Sequence, residues 1–127
     1  MEAMRTSTAA QRYKTALEVA SRNLKKLVDS GVRITMGTDT GPPARFQGYF
    51  EHMELDLMAK AGLTPLQIMK SATGDAANCM QKTGEIGTLQ PGAWGDLVVL
   101  EGNPLEDIRN MHKLKSVWIA GNQVASY

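Results

Sequence analysis

Residues 8–41 constrain the fold more than any other part of the chain, because a helix-length period there runs directly into a strand-length one. Ala9, Tyr13, Ala16, Leu17, Ala20, Leu24, Leu27 and Val28 recur at three- and four-residue spacing, with Arg12, Lys14, Glu18, Arg22 and Lys25 off the stripe. Ser7-Thr8 can cap this segment and Gly31 can stop it, so the spacing predicts a helix to about Ser30. Immediately afterwards, Val32 to about Thr38 reads as a short buried strand, and Gly41-Pro42-Pro43 forces a loop behind it. A helix feeding a strand through a one-glycine turn is half of a repeating helix–strand unit, the building block of α/β folds.

Asp39 stands where that strand runs out. Two readings of it are open on the local residues. It organises the turn by bonding backbone N–H groups, as aspartate often does, or it presents a carboxylate to a ligand from a rigid strand end. Downstream, Tyr49–Ala61 reads as a second helix ended by Gly62, and Thr64-Pro65 is a cap followed by proline at the first helical position. Leu66 to about Thr73 and Asp75 to about Gln81 continue the helical half. The pattern then switches. Gly84–Leu89 is short, glycine-rich and strand-like, and Asp96–Leu100 is the most strand-like run in the chain. Ser116–Ala120 and Gln123–Ala125, around Gly121-Asn122, predict a closing hairpin.

Composition excludes several classes. With 127 residues the chain suits one domain, and 43% hydrophobic content is too high for a disordered tail. Lys+Arg of 14 against Asp+Glu of 13 gives no nucleic-acid footprint. No apolar run reaches membrane-spanning length, and Met1–Arg5 has no leader-like apolar region, so no membrane partner is expected. Cys79 is the only cysteine, which removes an intramolecular disulfide and points to a reducing, cytoplasmic setting. Cys79 itself reads as a buried inert thiol, and Met53, Met58, Met69 and Met80 read as core packing.

As an ordered series, several runs resemble the C-terminal part of metal-dependent amidohydrolases, in the imidazolonepropionase-like branch that includes Xaa-Pro dipeptidases. They are Gly37-Thr38-Asp39-Thr40-Gly41, Glu54-Leu55, Ala61-Gly62-Leu63-Thr64-Pro65, Ala72-Thr73 with Ala76-Ala77, Gly84–Leu89 through Pro91-Gly92, Asp96–Leu100, Gly102-Asn103-Pro104-Leu105, and Val117-Trp118-Ile119 with Gly121. The resemblance implies an α/β fold: the last βα portion of a TIM-type (β/α)8 barrel over residues 1–83, then strands of a small composite β-sandwich over 84–127. It implies that Asp39, at the end of barrel strand eight, ligates a divalent metal, zinc foremost, and takes the proton of the attacking water. Arg45, in the following loop, and His52 are candidate substrate contacts, Arg45 by pairing with a carboxylate.

The departures are as informative. The family's other ligands are a His-x-His, a lysine and two more histidines, whereas His52 and His112 are the only histidines here. A catalytic zinc takes about three protein ligands, and a barrel takes roughly 250 residues. The expectation is therefore an incomplete barrel, inactive alone and possessing no metal of its own. It would associate as a homo-oligomer through exposed strand edges, or with a separate N-terminal half. Two other classes compete: a non-catalytic assembly module derived from such an enzyme, and a dimeric aspartic protease using Asp39-Thr40-Gly41.

Overall fold

The computed structural model describes residues 7–44 and 46–127. Helix α1 spans Thr8–Asp29 and begins where expected, with the Ser7 hydroxyl accepting the Ala10 N–H at 3.2 Å. It ends in a Schellman turn. Gly31 takes φ +79°, its N–H reaches Val28 O, and the Val32 N–H reaches Leu27 O at 3.0 Å. Helix α2 spans Tyr49–Lys60 and closes the same way at Gly62, with Leu63 N–H on Met58 O. Helix α3, Pro65–Ala72, carries a complete capping box: Thr64 Oγ1 accepts Gln67 N–H, and Gln67 Oε1 accepts Thr64 N–H. A short helix α4, Gly74–Cys79, follows.

These caps set the directions in which the helices leave, and the core forms where they meet. Leu55 and Met58 of α2, Leu63 of its terminal turn and Ile68 of α3 are buried together with Ile108. Ile108 begins a 3-10 helix, Ile108–His112, so the C-terminal half keys directly into the helical core. Leu24 and Val28 of α1 pack against this cluster, as does Met36. The rest of the α1 stripe is uncovered among the described residues, with Tyr13 77% and Leu17 52% exposed.

Three antiparallel strands, β1 (Leu97–Leu100), β2 (Leu114–Ile119) and β3 (Asn122–Ser126), form a sheet in the order β1-β2-β3. The predicted hairpin is present, with its turn one residue earlier than the sequence suggests. Ala120 (φ +49°) and Gly121 (φ +77°) make the two-residue loop, and Asn122 already pairs with Ile119. Asp96 explains the shift: its Oδ1 accepts the Ala120 N–H at 2.7 Å, and Gly95 O accepts the Gly121 N–H.

Four expectations change. Val32–Thr38 is extended but is not a strand, because no neighbouring strand among the described residues supplies hydrogen bonds; its backbone meets α3 through Met36 N–H to Ser71 O at 3.1 Å. Gly84–Leu89 is a chain of turns with one isolated bridge, Thr83 to Ile86. There Gly87, at φ +79°, passes so close to Thr73 O and Ala77 that a Cβ would sit under 3 Å from both. Cys79 is exposed, and so is Met80 at 59%, since α4 ends there and turns both outward. Finally, the helices disagree with the nearly all-β body that an aspartic protease requires. No described helix is long and apolar enough to cross a membrane.

Candidate active site around Asp39

Although no neighbouring strand among the described residues joins them, residues 33–40 keep the two-residue period of a strand. Ile34, Met36, Thr38 and Thr40 are half-buried, whereas Arg33, Thr35, Gly37 and Asp39 are exposed. One face therefore rests on the body of the protein and the other, ending in Asp39, is open. Asp39 also breaks the straight path: its φ is +51°, a left-handed conformation that aspartate tolerates better than most residues.

The kink is bracketed by a carboxylate from α2. Thr38 Oγ1 and Thr40 Oγ1 both donate to Glu51 Oε1, at 2.8 and 2.7 Å, and stand 3.2 Å from each other. The second oxygen, Glu51 Oε2, accepts the Gly48 N–H at the start of α2. These bonds, those from Thr40 and Thr38 foremost, hold the Glu51 carboxyl down at about 2. Nothing in the local sequence around position 51 announces this contact. Its signal is the pair of hydroxyl residues flanking Asp39 together with an acid at the third position of the next helix.

His52, one residue on, has a different neighbourhood. Its ring stacks on His112 of the 3-10 helix, with centroids 4.4 Å apart and planes 26° from parallel. His112 Nε2 lies 3.7 Å from Asp56 Oδ2. His52 Nδ1 is buried with no hydrogen-bond partner among the described residues. Arg45 falls outside the described residues.

Burial first, and then the charge of His112, lower the His52 pKa; Asp56 and Glu51 oppose them. A histidine whose folded pKa lies below its unfolded value contributes stability above about 6.5, and loses it as pH falls through the folded value. Thermal unfolding followed by circular dichroism is thus expected to show a stability loss on acidification below about 6.5. Replacing His112→Asn should move the His52 titration upward by NMR. An unmoved midpoint would show that the stacked ring does not govern it.

A carboxylate is a proper donor for a divalent cation, but one carboxylate is not a site. Among the described residues no three His, Cys, Asp or Glu side chains converge where they could hold a metal. By itself this donor set does not fit the catalytic metal that the resemblance implies.

Comparison with known proteins specifies the class to which this fold belongs. The amidohydrolase family matches residues 2–124, and the chain belongs to that family, which is generally metal-dependent. It is 36% identical over 92 residues to ochratoxinase of Aspergillus niger, covering 71% of this chain and 18% of that protein. It is 27% identical over 107 residues to imidazolonepropionase of Treponema denticola, covering 80% of this chain and 25% of that protein. The crystal structure of a Xaa-Pro dipeptidase with bound methionine superposes with a TM-score of 0.74 at 26% identity, covering 84% of this chain and 25% of that one. The chain spans a quarter or less of each.

Proposed function

We propose that these residues are the C-terminal portion of a metal-dependent amidohydrolase that hydrolyses C–N bonds, in amides or dipeptides, at a centre completed by parts of the protein beyond them. Residues 1–83 are the last βα portion of the barrel and 84–127 the strands of the composite sandwich. The observation that carries this reading is the two-faced segment 33–40. One face packs on helices while the alternate face, with Asp39 at its end, is exposed, and no neighbouring strand among the described residues pairs with the segment. That is how a barrel strand looks when its neighbours are supplied from elsewhere, and barrel enzymes carry their chemistry at such strand ends. Membership of the family and the likeness to a dipeptidase support it.

In this reading Asp39 contributes one ligand to a divalent metal, zinc foremost. When bound, such a metal acidifies water and polarises a carbonyl. The role of the chain itself is to hold the carboxylate at the strand end, ready to accept a proton. Arg45 and His52 are the candidate substrate contacts.

The missing parts are a second polypeptide or further sequence carrying the His-x-His, the lysine and two more histidines. Co-purification of such a partner, with about one or two metal ions per complex, is the expected result. Catalysis by these residues alone, as a homogeneous sample, would contradict the proposal. Without the missing parts, the uncovered α1 stripe and the edges of β1 and β3 are expected to drive self-association. Sedimentation at micromolar concentration checks this, and a clean monomer argues against it.

A further inference from the structure

Glu51 does more than cap α2. Capping requires one oxygen on the Gly48 N–H, and Oε2 performs that task. Oε1 points instead to the hydroxyls of Thr38 and Thr40, across the loop and 13 and 11 residues back in the chain. In a straight strand, alternate residues stand roughly 7 Å apart, twice the rise per residue. Here the two hydroxyls are 3.2 Å apart and share one oxygen. Only a backbone curled at the intervening residue brings them together, and that residue is Asp39 at φ +51°. The left-handed conformation is unfavourable for an ordinary L residue. Something must hold it.

We propose that Glu51 is a positioning residue: by gathering Thr38 and Thr40 onto one carboxylate oxygen it locks the backbone of Asp39 and fixes the direction in which that side chain leaves the strand end. The significance for hydrolysis rests on the reading of Asp39 given above, whereas the clamp itself does not. Threonine suits it twice over. Its hydroxyl supplies the bond, and its β-branch restricts the rotamer that delivers it. Charge-assisted hydrogen bonds of this kind are the stronger ones, and three converge on one carboxylate.

The test uses the 127-residue chain at neutral pH, labelled for NMR. Asp39 is expected to show the strong intraresidue HN–Hα NOE and backbone shifts of a positive φ. In Thr38→Val/Thr40→Val, which keeps shape and removes both hydroxyls, that signature should be lost. In Thr38→Ser/Thr40→Ser, which restores the hydroxyls without the methyls, it should return. Glu51→Ala should lose it as well, and decides the matter if the valine pair does not fold. Methyl shifts of Leu55 and Ile68 report that the core is intact. A positive φ that survives both the valine pair and Glu51→Ala overturns the proposal, as does its loss in the serine pair. No metal enters this measurement, so its failure would leave the hydrolase reading untouched, and failure of the hydrolase reading would leave the clamp standing.

Discussion

Ile68→Ala is expected to lower the unfolding free energy by about 3–4 kcal/mol, seen as a shifted urea midpoint with an unchanged slope. Ile68 is 0% exposed and sits where α2, α3 and the 3-10 helix meet, against Leu55, Met58, Leu63 and Ile108. Removing three carbons there forfeits their transfer energy and leaves a cavity that elements held by separate caps cannot readily close. Leu66, two residues earlier on the same helix, is 58% exposed. Leu66→Ala is expected to cost no more than about 0.5 kcal/mol. Equal losses at the two positions would mean that Ile68 is not part of the helical core. Because total stabilities run about 5–15 kcal/mol, the Ile68 variant should be visibly marginal.

The second large effect concerns function. In the complete enzyme, Asp39→Asn is expected to reduce kcat by about a thousandfold or more, equivalent to roughly 4 kcal/mol of barrel-assembled transition-state stabilisation. This substitution separates the two readings of Asp39 with unusual clarity. If the residue only organises the turn, asparagine serves equally well, since it too bonds nearby backbone and tolerates a left-handed φ. If the residue binds a cation and accepts a proton, the amide can do the second not at all and the first poorly. Asparagine keeps the size of aspartate and its tolerance of a left-handed φ, so the variant should still fold. Activity within tenfold of wild type would restore the turn reading.

Helix and hairpin positions were legible because their signals are local. Ser7, Gly31, Gly62 and Thr64-Pro65 act within one turn of themselves, and all four mark the boundaries they suggest. The strand expected at 32–38 keeps its alternation and lacks its pairing, since pairing depends on neighbours that alternation cannot reveal. Gly84–Leu89 misleads for a related reason: its Gly87 serves a close approach to Thr73 and Ala77, not a ladder. Asp39 stands as a candidate through the order of motifs around it. The Glu51 clamp and the His52–His112 stack were not, because each joins residues from distant parts of the chain whose spacing carries no period. Cys79 and Met80 are exposed where burial is expected because the helix that ends at Cys79 is only six residues long.

Hydrolysis in the proposed reading depends on the Asp39 carboxylate meeting a divalent cation at a centre completed from elsewhere. Anomalous diffraction from crystals of the complete enzyme, collected at the absorption edge of its bound metal, tests this most directly. The expected result is a metal about 2.0–2.2 Å from an Asp39 carboxylate oxygen. A bound metal ligated elsewhere, with Asp39 more than about twice that distance away, would contradict it.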